Sequence, residues 1–234
     1  MNRQQFETDI KKIYSTVAVI TDKPGKKVIR CRHTELLRDV VVKITENDLP
    51  ACRFLCGIRH ANLPEIYDVY ELDDGFAVVE EFIAGMDLRE SLGAGLYDYS
   101  GARSVIRQVC RALAVLHENG FVHRDVKPEN VMIADDGTVK LIDFDACRAY
   151  SSVKSADTQI LGTIGYAPPE QFGVAQSDSR SDIYAVGVLL NVMLTGVHPS
   201  ESIARGRAGR IIRKCTRINP DERFRDVEKL ISAL

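Results

Sequence analysis

The sequence predicts an α+β chain in which a small β-sheet region comes first and a larger, mainly helical region follows. Three observations lead there. Short β-rich runs bounded by turn residues recur up to Glu81, apolar residues switch to three- and four-residue spacing beyond Gly101, and 234 residues at 45% hydrophobic can bury a sizeable core.

Taken in order, Met1 to Tyr14 is polar and charged where a secretory leader would carry an apolar core, so no leader is expected. Strands are expected at 17–20, 28–31 and 40–44, with Pro24-Gly25 turning the chain between the first two. After a brief helix, 66–70 and 76–81 read as two more strands joined at Asp73-Asp74-Gly75, which completes a small five-stranded sheet.

From Gly101 the period changes. Val105, Ile106, Val109, Leu113 and Leu116 recur at helical spacing, and Gly120 supplies the stop. Two short apolar runs, 131–133 and 139–142, flank Asp135-Asp136-Gly137 and predict a β-hairpin. Helices are expected at 182–194, 208–215 and 227–234; the apolar run within the first is too short for a membrane span and is interrupted by Asn191. The six cysteines form no paired framework, and with the five histidines they show no zinc spacing, so reduced, mostly buried thiols are expected. A net charge of −2 gives no basic footprint for nucleic acid or an anionic membrane. A cytoplasmic protein follows, with protein and nucleotide partners.

The chemistry concentrates between residues 123 and 170. His123-Arg124-Asp125-Val126-Lys127-Pro128-Glu129-Asn130, then Asp143-Phe144-Asp145, then Ala167-Pro168-Pro169-Glu170 follow one another. Asn130 and Asp143 flank the predicted hairpin and can converge on one ion, and both offer the hard oxygen ligands that suit Mg²⁺. Singly each motif is weak. In this order they resemble the catalytic half of a eukaryotic-like Ser/Thr protein kinase of the bacterial type.

That resemblance implies a two-lobed protein-kinase-like fold in a single domain over 1–234. The small N-terminal β-sheet lobe would take 1–82, a hinge 83–87, and the larger, mainly helical C-terminal lobe 88–234, with a nucleotide cleft near 82–87. By resemblance Asp125 orients the incoming hydroxyl, and Lys127, at the Ser/Thr-kinase spacing, serves the γ-phosphate. Asn130 and Asp143 hold Mg²⁺. Val41-Val42-Lys43-Ile44 resembles the family's V-A-I-K strand, which makes Lys43 the candidate for the α- and β-phosphates, while Glu81, Ile83 and Asp87 would line the ATP site. His123 and Phe144 support the loop, and Arg124 suits a phosphate on the activation segment, for which Thr158 and Thr163 are the candidates. Asp182 resembles the buried Asp that braces the catalytic loop, and Arg223 the partner of Glu170.

Three departures bear on activity. The family's three loop glycines fall on Thr21, Lys23 and Lys26; only Gly25 is present, so the backbone cradle for phosphates should be weakened, unless Lys23, Lys26 and Lys27 supply charge instead. Setting Leu55 and Ile58 on the apolar positions of the brief helix puts Ala51 where a glutamate should face Lys43. The hinge alignment places Glu80 at the back of the nucleotide pocket, where it would replace that glutamate if it points inward rather than Glu81. Asp145 stands where the family has glycine, which leaves a more restricted turn and an extra carboxylate near the metal.

An ATP- and Mg²⁺-dependent Ser/Thr protein kinase is the first expectation, acting on Ser/Thr hydroxyls of protein substrates and, by the same chemistry, on itself. A pseudokinase, binding nucleotide or acting as a scaffold, is the alternative. A small-molecule phosphotransferase of the aminoglycoside-kinase type shares the architecture, but the Lys127 position and the A-P-P-E segment speak against it. The sequence names neither a substrate nor an oligomeric state.

Overall fold

Asn2 opens a helix that the sequence pattern left unread: its side chain accepts the N–H of Gln5 at 2.7 Å and caps α1 (Arg3–Ile13). The computed structural model describes residues 1–150, 165–172 and 177–234. The chain divides into two units, Met1–His60 with Pro64–Ala84, and Ala61–Leu63 with Gly85–Leu234.

In the first unit α1 is followed by β1 (Tyr14–Lys23), β2 (Lys26–His33), β3 (Asp39–Thr45), the six-residue α2 (Pro50–Leu55), β4 (Ile66–Leu72) and β5 (Gly75–Glu81). The strands form one antiparallel sheet in the order β1-β2-β3-β5-β4, the five strands expected. β1 runs on through polar residues to Lys23 because its ladder with β2 continues to the pair Lys23 and Lys26.

Strand alternation gives the sheet two different faces. Val40, Val42, Ile44, Ala77 and Val79 lie on one and form a core with Phe6 of α1, whose ring centroid is 5.1 Å from that of Tyr70. The other carries Lys43 opposite Val78, and Val41 opposite Glu80. At the β4–β5 turn Gly75 has φ +147°, and a Cβ there would lie 2.1 Å from the Thr45 carbonyl oxygen, so the close approach of the backbones requires glycine.

The second unit comprises β6 (Gly85–Asp87), α3 (Leu88–Ala94), α4 (Tyr99–Glu118), β7 (Phe121–Val122), β8 (Val131–Ala134), β9 (Val139–Leu141), β10 (Arg148–Ala149), α5 (Ser179–Thr195), α6 (Gly206–Cys215) and α7 (Val227–Ala233). β8 and β9 form the expected hairpin and β6 pairs along β8. The apolar stripe of α4, from Val105 to Leu116, is buried, as are Ile183, Val186, Leu189 and Leu190 of α5. Asn191, which interrupts the apolar run, is fully buried and earns its place by hydrogen bonding: Nδ2 donates to the carbonyls of Val197 and Ser202 at 2.9 and 2.8 Å, and Oδ1 accepts the N–H of Ala204 at 3.0 Å. All six cysteines are free, and only Cys56 is exposed. Among the described residues no helix is long and apolar enough to cross a membrane.

Candidate active site

The loop from His123 to Asn130 is held from below by one carboxylate. Asp182, in the first turn of α5, accepts the backbone N–H of His123 at 2.9 Å and of Arg124 at 2.8 Å, and its Oδ2 lies 2.7 Å from His117 Nε2. Burial pushes the Asp182 carboxyl up, but the His117 hydrogen bond, the charges of His117 and His123 and the Arg124 N–H outweigh it and hold it below the usual range. The brace fixes a backbone that Arg124 adopts at φ +70°, a conformation L-residues rarely take. The Gln171 side chain donates to the Arg124 carbonyl at 3.0 Å. Neither the His117 nor the Gln171 contact is legible in the sequence, because each joins residues remote in the chain.

His123 is fully buried, with its ring edge-on to Phe144 at 5.7 Å. Its Nε2–H donates to the Ile142 carbonyl at 3.2 Å, so the imidazole ties the loop to the end of the hairpin. Burial pushes its pKa below the usual histidine value, against the pull of Asp182, Asp125 and Asp143.

Asp125 and Asn130 meet inside the loop. Asn130 Nδ2 donates to the Asp125 carbonyl and to its Oδ2 at 2.8 and 2.9 Å, and Lys127 Nζ donates to the same Oδ2 at 2.6 Å. The Asn130 carbonyl accepts the N–H of Ile142 at 2.9 Å, which brings Asn130 beside the residue preceding Asp143. Asp143 has φ +65°. The left-handed turn therefore falls on the metal-ligand candidate itself, and Asp145, in the family's glycine position, is spared it.

Asn130 and Asp143 supply an amide oxygen and a carboxylate at the open end of one hairpin. Among the described residues no cluster of three or more His, Cys, Asp or Glu is arranged for a metal. Two hard oxygen donors without a protein cage fit Mg²⁺, which keeps waters and takes phosphate oxygens as its remaining ligands.

Lower in the same unit Arg223 is fully buried and donates to both oxygens of Glu170, at 2.6 and 2.9 Å, and to the carbonyls of Arg180, Arg217 and Ile218. Thr158 and Thr163 lie outside the described residues.

In the first unit Lys43 is 4% and Glu80 8% exposed. Lys43 pairs with Val78 across β3 and β5 and Glu80 with Val41, so the two charged residues share a face as diagonal neighbours, within reach of long side chains. Glu81 is on the opposite face, and its Oε2 accepts the N–H of Glu65 at 3.0 Å. Ala51 is fully buried in α2, and the first turn of that helix has no acidic residue. Pro24-Gly25 forms a tight turn with Gly25 at φ +76°, and the ladder runs up to it. Ile83 is buried, while Asp87 Oδ1 accepts the N–H of Glu90 at 2.8 Å and so caps α3.

A family model of the protein kinase domain matches residues 15–232. The chain is 47% identical over 149 residues to serine/threonine-protein kinase PknL of Mycobacterium tuberculosis, an alignment covering 63% of this chain and 37% of that protein. It is 41% identical over 186 residues to a probable serine/threonine-protein kinase of Corynebacterium efficiens, covering 76% of this chain and 28% of the relative. To serine/threonine-protein kinase PrkC of Bacillus subtilis it is 39% identical over 145 residues, 61% of this chain and 22% of PrkC. The chain thus spans well under half the length of these curated relatives.

Proposed function

The chain belongs to the protein kinase family, and we propose that it transfers the γ-phosphoryl group of ATP to Ser and Thr hydroxyls of protein substrates. The observation that carries this reading is the Asp125 carboxylate, gripped at Oδ2 by Lys127 Nζ at 2.6 Å and Asn130 Nδ2 at 2.9 Å. Phosphoryl transfer asks the protein for positioning and charge rather than covalent chemistry, and this cluster supplies both.

Asp125 accepts the hydrogen bond of the substrate hydroxyl and orients its oxygen. Lys127, already beside that carboxylate, adds fixed positive charge where negative charge accumulates. Asn130 and Asp143 would hold Mg²⁺, which when bound draws charge from the phosphate oxygens. Lys43 serves the α- and β-phosphates, with Glu80 as its carboxylate partner in place of the residue that Ala51 replaces. Glu81 and Ile83 belong to the hinge stretch beside the nucleotide. Asp87 keeps its capping role there. His123, Arg124, Phe144, Glu170, Asp182 and Arg223 act by holding these groups in place, and Thr158 and Thr163 are the candidate phosphate acceptors of the activation segment. Because ATP is a cytoplasmic reagent, we assign the domain to the cytoplasmic side.

A second reading, a pseudokinase, draws on the tight Pro24-Gly25 turn and on Ala51. One experiment separates the two: transfer from labelled ATP with Mg²⁺ to the chain itself and to a generic protein substrate, wild type against Asp125→Asn. A kinase loses about 10² to 10⁴ in rate in the variant. Nucleotide binding without transfer in the wild type would overturn the first reading in favour of the second.

A further inference from the structure

Helix α4 buries one face and turns another outward, where Ser100, Arg103, Ser104, Arg107, Gln108 and Arg111 line a groove of about 430 Å³. Their three- and four-residue spacing stacks them in one row. Arg103, Arg107 and Arg111 stand at successive four-residue steps, a run of like charges that works against the helix unless an anion lies along it. None of the three pairs with a carboxylate among the described residues, and the Arg107 Nε is buried there without a hydrogen-bond partner. A buried guanidinium N–H left unmet carries its full desolvation cost, which an oxygen acceptor removes.

The remaining side chains have compatible chemistry. Gln108 Oε1 accepts from Asn62 Nδ2 and from the backbone N–H of Val139, both at 3.0 Å, so the donor end of its amide is the one left for the groove. Guanidinium forks, two hydroxyls and an amide N–H together suit carboxylate or phosphate oxygens.

We propose that this face of α4 docks an acidic segment of a protein partner, with the negative charge carried by Asp and Glu or by phosphorylated Ser and Thr. The row contains no aromatic side chain on which a nucleic-acid base would stack. From residue 100 to residue 111 it spans about 16 Å of helix, the reach of about five extended residues. Another arginine-rich surface, on α6, is already partly answered by its own neighbours: Arg217 pairs with Glu222 at 3.7 Å and Lys214 lies 4.4 Å over the Phe224 ring. The α4 site also touches the catalytic hairpin, since Gln108 holds Val139 of β9. Its occupancy does not depend on turnover, and neither does its test.

Anisotropy of fluorescein-labelled octapeptides, one rich in Asp and Glu, one carrying phosphoserine and one basic, is read against the full chain without ATP. An acidic peptide binds and the basic one does not, and which acidic peptide binds tighter tells carboxylate from phosphate. The variant Arg103→Gln, Arg107→Gln, Arg111→Gln loses about tenfold or more, and Arg210→Gln with Arg213→Gln on α6 changes affinity by less than about twofold. Failure of both acidic peptides, equal loss in the α6 variant, or binding only of an RNA oligonucleotide or anionic vesicles overturns the proposal. If circular dichroism shows the triple variant misfolded, Arg111→Glu at the exposed arginine decides, and unchanged binding there is equally fatal.

Discussion

Asn130 holds Asp125 through a single amide nitrogen, which donates to the Asp125 carbonyl at 2.8 Å and to its Oδ2 at 2.9 Å. Both partners are acceptors, so the nitrogen must face Asp125 and the amide oxygen must face away. One side chain thus aligns the carboxylate proposed to orient the substrate hydroxyl and leaves its own oxygen, the proposed metal ligand, turned away from it.

Exchanging that amide for a carboxylate separates the two jobs. Asn130→Asp keeps an oxygen ligand but removes the donor and sets a like charge against Asp125 Oδ2. We expect turnover to fall about 100-fold, the scale of a lost alignment at the reacting centre. Steady-state kinetics with labelled ATP test this, and an unchanged kcat would remove Asn130 from the positioning role.

Arg223 and Glu170 make the next prediction. Arg223→Ala leaves a buried carboxylate facing empty space and three carbonyls without their donor. Breaking a buried pair from one side costs about 3–5 kcal/mol. At this chain length that lowers the melting temperature by about 10 °C. Calorimetry of the variant checks it; a shift of a degree or two would mean that solvent or another group takes over the carboxylate.

The parts of the fold legible in the sequence are those whose signal is local. The β8–β9 hairpin announces itself by Asp135-Asp136-Gly137, and the stripe from Val105 to Leu116 announces α4. Helix α1 was missed because its buried face is little more than Phe6, and the sheet residues it packs against come much later in the chain. His117 has no local signature, since its partner, the Asp182 carboxylate, lies far along the chain, and the hydrogen bond of Gln171 to the Arg124 carbonyl leaves no mark on composition. Asp87, the last residue of the expected hinge, is also the N-cap of α3, a local signal of its own. Glu80 and Glu81 could not be separated by composition; the strand register separates them by putting only Glu80 on the face of Lys43.

That register yields a paired prediction. Glu80→Ala removes the carboxylate from the Lys43 face, and ATP affinity should fall about tenfold, the worth of one charge-assisted hydrogen bond. Glu81→Ala removes an acceptor from the Glu65 N–H on the other face and should lower stability with little change in nucleotide binding. Calorimetric titration with ATP distinguishes them. Equal effects on affinity, or none from Glu80→Ala, would reject Glu80 as the substitute for the residue that Ala51 replaces.

Acid should loosen the catalytic loop in two stages. His123 is held below its ordinary pKa, so as pH falls below about 6.5 the unfolded chain takes up a proton that the folded one refuses. Stability from this group is complete above that value and is lost as pH falls through the lower folded pKa. Asp182, also depressed, contributes fully above the ordinary carboxylate range, and its contribution is lost only in stronger acid. The melting temperature of the wild type should therefore decline from pH 7 to 5 and again below about 4. His123→Phe keeps a ring beside Phe144 but gives up the bond to Ile142 and the titrating nitrogen. It should melt lower at pH 8, with the decline between pH 7 and 5 flattened. If the variant kept the wild-type slope over that interval, the first stage would belong to another histidine and the buried imidazole would have no part in it.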